Sequence, residues 1–316
     1  MAVVMGMILP GILLNWPVER QEREEPARQD EPQPTEATAI KHILEMKLRR
    51  KDGTVETMDM DEYLVGVILA ELPSTFEAEA KKAQAVAART YARKAWVTGG
   101  KHGDGSVCEV SGCCQAYISP QAYLEKGGDQ KAVNRARAAV EATSGLVLTY
   151  EGSLIEATYF SCSGGTTEDA VAVWGTDFPY LRSVESPGEN HAAHDTDTVS
   201  FTREEIEKKL GIPLTGKPGT WFRNFTYTSG GGVDTVNVCG VVCAGTFLRS
   251  KLGLRSTAFT VEADGDGVII TTRGFGHRVG MSQYGADAMA MDGKTFEEIL
   301  AHYYPGTSLE LTNDHE

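Results

Sequence analysis

The tightest constraint on this chain is a pair of helical segments separated by a single proline. From Met60 to Leu72 the apolar residues Tyr63, Leu64, Val67, Ile68 and Leu72 recur at helical spacing, and Pro73 ends the run because its ring cannot continue a helix. Ser74 with Glu77 three residues later has the form of a capping box, which predicts a second helix from Thr75 to about Trp96. Ala80, Ala83, Ala87 and Tyr91 line one face of that helix, and the small side chains allow a neighbour to approach closely. Glu71 is the last acidic residue of the apolar helix. A carboxyl flanked by apolar groups disfavours its charged form, so its pKa is expected to rise.

The rest of the chain arranges itself around this pair. Leu44, Met46 and Leu48 alternate among charged residues and lead into Lys51-Asp52-Gly53, a hairpin signal. A Gly- and Cys-rich loop runs from Gly99 to Gln115. Gln130 to Ala142 is helical, with Val133, Ala136 and Val140 on one side, and stops near Gly145. Strands are expected at Leu146–Tyr150 and Ile155–Ser161, and Gly-rich turns with short strands from Arg223 to Thr272. A last helical segment, Ser282–Met291, leads to Thr295–Tyr304. No internal repeat is visible. The fold class is α+β: one large domain, 40–312, with early helices and a β-rich remainder.

Before this domain, Ala2 to Trp16 is apolar but for its glycines, Pro10 and Asn15. The run is shorter than the roughly 20 residues of a spanning helix and lacks a basic flank. Residues 17–39 are rich in Glu, Arg, Gln and Pro and have little to bury. Apolar start, polar stalk and folded domain together read as an N-terminal membrane anchor at 1–16, a tether at 17–39 and a short tail at 313–316. A buried core helix is the alternative for the first segment. The missing basic flank leaves orientation undetermined.

Composition excludes more than it selects. A net charge of −14 argues against nucleic acid as a general partner, since phosphate recognition usually needs a basic face. Six cysteines are too few for a disulfide-dense scaffold in a chain of this size. Cys239 and Cys243 sit four apart in an apolar, strand-like run and read as buried free thiols, unless a turn separates them. His191 and His194 flank a loop with Asp195 and Asp197, which reads as solvated.

Several ordered motifs carry a resemblance. They are Tyr63–Pro73 (YLVGVILAELP), Lys82–Ala92 (KAQAVAARTYA), Tyr159–Thr167 (YFSCSGGTT), Pro179-Tyr180-Leu181, Arg255–Phe259 (RSTAF), Gly274–Ala286 (GFGHRVGMSQYGA) and Tyr303-Tyr304-Pro305-Gly306. With these the chain resembles the stage II sporulation protein D family. The resemblance implies an anchored, single-pass protein whose catalytic domain lies outside the cytoplasm, between mother cell and forespore. It also implies a lytic transglycosylase that cleaves MurNAc-GlcNAc bonds of denuded peptidoglycan strands during engulfment. Implied partners are glycan strands, a sporulation amidase and other engulfment proteins.

On the same resemblance Glu71 takes the place of the catalytic glutamate. Hydrolytic glycosidases normally need a second carboxylate, and none stands at a fixed spacing here. Glu77 and Glu79 occupy an early helix turn, where the helix dipole explains them. A lytic transglycosylase needs only one glutamate, because the muramic acid C6 hydroxyl supplies the nucleophile and leaves a 1,6-anhydro end. Gln84, Arg89, Tyr91, Tyr180 and Gln283 are assigned to the glycan cleft, with a structural ion pair as the alternative for Arg89 and motif packing for Tyr180 and Gln283. His277, Gly274, Gly276, Gly280 and Gly285 are expected to shape turns. Family members often carry Cys-x4-His-Cys-Gln at the loop, where the Cys/His pair holds zinc. Here Cys108 and Cys113 are the corresponding ligands, with Cys113 in place of histidine and His102 nearby. Zinc, a disulfide and free thiols all remain open at this point. The family also covers non-catalytic glycan-binding enhancers of an amidase, which is the alternative function.

Overall fold

The computed structural model describes residues 44–192 and 195–312. The chain divides into two units, 1–41 and 42–316, and the first lies wholly outside the described residues, as do the tail at 313–316 and His194. The anchor and tether expectations therefore fall outside them too. Among the described residues no helix is long and apolar enough to cross a membrane.

The opening alternation forms a hairpin. Strand β1 (Glu45–Arg49) buries Met46 and Leu48, and β2 (Val55–Asp59) pairs with it antiparallel across the Asp52-Gly53 turn. Helix α1 (Met60–Glu71) starts at Asp59, whose Oδ1 accepts the Glu62 N–H at 2.9 Å. It ends where the Leu72 N–H bonds Ile68 and Pro73 follows. Tyr63, Leu64, Val65, Val67 and Ile68 are all buried, so this helix is enclosed on most sides.

Helix α2 (Ala78–Thr98) begins three residues later than the capping-box reading places it. Its start is fixed by distant partners instead. The Glu77 N–H donates to Asp287 Oδ1 at 2.6 Å, and Glu79 accepts the Phe296 N–H at 2.9 Å. Both partners come from late elements, α8 (Gln283–Met291) and α9 (Phe296–Tyr303), which pack back onto α2. Helix α8 falls where the sequence places its last helical segment, Ser282–Met291.

Between them, β3 (Ser106–Cys108) lies parallel to β1 inside the expected loop. Helices α3 (Pro120–Glu125) and α4 (Gln130–Ala142) follow, then β4 (Leu146–Tyr150) and the short β5 (Ser153–Leu154). The strand expected over Ile155–Ser161 shrinks to β6 (Tyr159–Phe160). Its partner is β13 (Met281–Ser282), and the Thr158 carbonyl is taken by the Met281 N–H and the Tyr304 hydroxyl. The small helix α5 (Ala170–Trp174) ends at Gly175, in the left-handed region.

A second core forms from residues 201–270. Strands β7 (Thr196–Phe201), β11 (Phe259–Asp264) and β12 (Gly267–Arg273) make one antiparallel sheet, and β8 (Phe222–Tyr227), β9 (Val233–Val238) and β10 (Val241–Ala244) another. Helices α6 (Arg203–Leu210) and α7 (Gly245–Leu252) pack on each other, and α7 also lies against β9. Helix α7 falls inside the Arg223–Thr272 stretch, where the sequence suggests only Gly-rich turns and short strands. Cys239 sits in the β9–β10 turn at φ 46°, half-buried, while Cys243 is buried on β10. No disulfide joins the six cysteines among the described residues. The last strand, β14 (Ser308–Leu311), closes on β4. The class is α+β, as expected.

A buried ion pair joins the two cores. Arg278 reaches Glu168 Oε1 at 3.1 Å and donates to the carbonyls of Ser163, Thr166 and Gly230. Glu168 Oε1 also accepts from Thr228 Oγ1 and the Gly232 N–H of the second core.

Candidate active site

Glu71 closes α1 at the point where the cysteine loop returns to it. The return depends on Gly66: a Cβ there would meet the Tyr117 ring at 2.3 Å and the Ile118 carbonyl at 2.7 Å. With hydrogen at that position the chain lies against the helix, and the Tyr63 and Tyr117 rings stack at 5.6 Å. The Ala116 N–H then donates to Glu71 Oε1 at 2.6 Å, while Gln283 Nε2 donates to Oε2 at 3.2 Å. The residue keeps partial solvent access. Burial of the carboxyl pushes its pKa above the ordinary value, against the pull of these two N–H donors. No charged side chain among the described residues contributes to that shift.

A hydrogen-bonded chain of two tyrosines and a buried amide stands near the carboxyl. Tyr63 Oη donates to Gln115 Oε1 at 2.6 Å, and Gln115 Nε2 donates to Tyr159 Oη at 2.9 Å. Burial, and next the charge of Glu71, hold the Tyr159 phenol well above its usual range. Sequence reasoning missed Ala116, Gln115 and Tyr159 as neighbours of Glu71. Gln115 and Tyr159 stand at motif ends, which is the signal available; Ala116 acts through its backbone and leaves none.

The other cleft assignments fall in different places. Gln283 is beside Glu71. Tyr91 borders a pocket with Lys94, Lys101, Cys114 and Glu156 that does not include Glu71, and in it Lys94 pairs with Glu156 at 3.0 Å. Arg89 is fully buried; its guanidinium is taken by the carbonyls of Thr143, Leu146 and Val140 and by Asp61 at 3.3 Å, the structural ion pair left open by the sequence. Gln84 is fully buried, and its amide has no hydrogen-bond partner among the described residues. Tyr180 is buried against Tyr150 and Phe178 and accepts the Glu156 N–H at 3.1 Å. In this structure none of these three offers a surface atom to a polymer.

The cysteine loop brings four donors together. His102 Nε2 and the sulfurs of Cys108, Cys113 and Cys114 all lie within 4.8 Å of one another. Cys113 Sγ stands 3.9 Å from both Cys114 Sγ and His102 Nε2, and Cys114 Sγ 3.5 Å from the latter. A tetrahedral zinc with Zn–S of about 2.3 Å and Zn–N of about 2.0 Å spaces two sulfurs about 3.8 Å apart and sulfur from nitrogen about 3.5 Å apart. The spacings among His102, Cys113 and Cys114 fit zinc, Cys108 lies within 4.8 Å of all three, and the cluster adds His102 and Cys114 to the expected Cys108 and Cys113. Burial disfavours the Cys108 thiolate, yet the Val110 N–H and the neighbouring thiols bring its pKa below the usual value; Cys113 is pushed up to about 11 by burial and by those thiols.

His277 is shielded by Phe160 and Trp174, with ring centroids at 5.7 and 5.2 Å. Its Nδ1 accepts the Val279 N–H at 3.1 Å, which leaves Nε2 as the protonated nitrogen. Burial lowers its pKa to about 4, helped by the charges of Arg249 and Lys101.

A family model described as stage II sporulation protein matches residues 49–150, from β1 through the cysteine loop to β4. Stage II sporulation protein D of Bacillus subtilis (strain 168) is 39% identical over 265 residues, covering 83% of this chain and 77% of that one. The chain belongs to the stage II sporulation protein D family. The protein of the same name from Bacillus amyloliquefaciens gives the same identity and coverage. An amidase enhancer of Bacillus subtilis (strain 168) is 30% identical over 304 residues, 78% of this chain and 40% of its own length. The motifs behind the family resemblance are largely scaffold. Ser163 and Gly164 donate backbone N–H groups to the buried Glu189, which also takes Ser186 and Ser282 hydroxyls. A Cβ on Gly285 would strike Ser186 Oγ and Tyr303 Oη at 2.1 Å.

Proposed function

We propose that this protein is a peptidoglycan lytic transglycosylase of the cell envelope, acting in engulfment during endospore formation, with Glu71 as its single acid/base. The observation that carries the reading is the state of Glu71: a carboxyl with a raised pKa, held by two N–H donors at a solvent-reachable helix end, with no second carboxylate influencing it. The names of the Bacillus relatives support the sporulation setting.

In this mechanism the neutral Glu71 gives its proton to the oxygen of the MurNAc-GlcNAc bond as that bond breaks. The carboxylate left behind takes the proton of the muramic acid C6 hydroxyl, whose oxygen closes on the anomeric carbon. Products are a 1,6-anhydro end and a new GlcNAc hydroxyl, and Glu71 returns to its protonated form. Ala116 and Gln283 orient the carboxyl and stabilise its anionic phase. Zinc, held by His102, Cys108, Cys113 and Cys114, would fix the loop that carries Ala116.

The full-length chain should release 1,6-anhydro-ended fragments from peptide-free strands, read by mass spectrometry, and Glu71→Ala should release none. Equal products from both, or none from wild type, would sink the assignment; reducing ends would point to hydrolysis. The relative named an amidase enhancer favours one alternative, a non-catalytic glycan-binding partner of an amidase. That reading requires stimulation of the amidase to survive Glu71→Ala.

A further inference from the structure

Glu189 is a buried carboxylate that takes no part in the proton transfers at Glu71. It opens a short 3-10 turn, Glu189–His191, and both of its oxygens are occupied. Oε2 accepts the Ser163 N–H at 2.8 Å, the Ser163 hydroxyl at 2.9 Å and the Gly164 N–H at 2.9 Å. Oε1 accepts the Ser186 hydroxyl at 2.8 Å and the Ser282 hydroxyl. These are neutral donors, and a carboxylate buried among them is costly unless its lone pairs are satisfied. What it adds is convergence, because it draws donors from three separate stretches of chain to one point.

Two of those stretches lead to the catalytic carboxyl. Ser163 and Gly164 follow β6, where the Tyr159 hydroxyl receives the Gln115 amide near Glu71. Ser282 ends β13 and caps α8: its Oγ accepts the Gly285 N–H at 3.1 Å while its own proton goes to Glu189. The next residue is Gln283, which reaches Glu71 Oε2 at 3.2 Å. β6 and β13 pair directly, Phe160 opposite Ser282, and the Tyr284 N–H returns to the Ser161 carbonyl at 3.0 Å. Backbone pairing thus sets the two segments side by side, and Glu189 fixes the first turn of α8 against them. Gly285 permits the approach, since a Cβ there would also stand 3.0 Å from Glu189 Oε1.

We propose that Glu189 is a positioning residue of the Glu71 site: through Ser282 it locks the start of α8, and so holds the Gln283 amide on the catalytic carboxyl. Its consequence for catalysis rests on the transglycosylase reading, whereas the arrangement itself is measurable without turnover. Loss of the Ser282 tether lets Gln283 drift, which takes an N–H donor from the charged form of Glu71 and raises its pKa further. Tyr63 and Tyr159, the phenols that feel the Glu71 charge, are kept protonated by burial throughout the carboxyl range.

The test follows the Glu71 side-chain carboxyl by carbon-13 NMR in the full-length protein, with the signal assigned by its loss in Glu71→Gln. Ser282→Ala removes the tether and leaves Ser163, Gly164 and Ser186 on the carboxylate. Glu189→Asp keeps the charge but is too short to serve the backbone donors and Ser282 together. Each should move the Glu71 titration midpoint upward, as Gln283→Leu does, and neither should move it further when added to Gln283→Leu. Ser282→Thr keeps a hydroxyl and should stay at the wild-type midpoint. A folded Ser282→Ala with an unchanged midpoint overturns the proposal, whether or not Glu189→Asp folds. A shift in Ser282→Ala that a folded Glu189→Asp lacks overturns it too, because the helix cap alone would then be responsible. So does a shift that adds in full to that of Gln283→Leu. If the expected shifts appear while the wild type releases no 1,6-anhydro fragments, the positioning stands and the transglycosylase reading falls.

Discussion

Gln283 Nε2 donates to Glu71 Oε2 at 3.2 Å, joining residues 212 positions apart and tying the late Gly-rich motif to the end of the first helix. That bond favours the carboxylate and so restrains the rise that burial imposes on Glu71. Gln283→Leu removes the restraint. The Glu71 pKa should climb further, and the alkaline limb of the kcat/KM profile should move to higher pH. A profile that keeps its limb while losing amplitude would show that Gln283 only positions substrate.

Glu71 itself should cost the fold stability. Its folded pKa is raised, so the folded state holds the proton more tightly than the unfolded chain does. Stability is then greatest below the ordinary carboxyl value and falls as pH rises through the raised one. Glu71→Gln keeps an oxygen for the Ala116 N–H, and Gln283 can turn its amide to match. Thermal unfolding should show the variant as stable as wild type at low pH and more stable at neutral pH, while activity drops about 10²–10⁴-fold. A neutral-pH loss of stability would contradict this assignment.

The apolar spacing of α1 and the Pro73 stop were readable in the sequence because they depend on local chemistry, and so was the Asp52-Gly53 hairpin. The start of α2 was not, because Glu77 and Glu79 are pinned by Asp287 and Phe296, more than 200 residues away. The same limit applies at the site. Glu71 stood out by its apolar setting, whereas its Ala116 partner is a backbone N–H delivered by Gly66, whose role shows only when Tyr117 is seen against it. Arg89 and Gln84 carry polar side chains in a helix motif, and nothing local tells that both point inward.

The cysteine loop should bind one zinc per chain. Three of its donors, His102, Cys113 and Cys114, already have near-tetrahedral spacing, and Cys108 Sγ lies within 4.8 Å of each. Cys108→Ser or Cys114→Ser should lower zinc content measured by elemental analysis. Because Ala116 is two residues past Cys114, either change should also loosen the loop and reduce activity. Unchanged zinc in both variants would place the metal elsewhere; no zinc in wild type would leave the loop as a set of free thiols.

His277 predicts an acid limit to stability. Its folded pKa of about 4 lies below the usual histidine value, so the unfolded chain takes up the proton first as pH falls. The neutral form's contribution is complete above the unfolded value and is lost progressively from about pH 6.5 toward 4. In His277→Asn that segment of the stability-versus-pH curve should flatten. An unchanged slope in urea titrations across this range would show that the ring is solvated and titrates normally.

The strongest single contribution to the joint between the cores should come from Arg278. Its guanidinium meets Glu168 and three carbonyls, two from the Ser163–Thr166 turn and one from Gly230, and its own backbone sits at φ 65°. Glu168 is fully buried, so Arg278→Met would leave a carboxylate with hydroxyl and N–H partners but no counter-charge. Breaking a buried pair by removing one member typically costs about 3–5 kcal/mol. Lysine restores the charge but cannot span the fork of acceptors, so Arg278→Lys should recover only part of that loss. Combining Arg278→Met with Glu168→Gln removes both charges, and should be less damaging than Arg278→Met alone. Urea unfolding of these variants, with Glu168→Gln alone to complete the cycle, decides it: if the two changes are additive, the pair is not coupled and the joint depends on the carbonyl contacts instead.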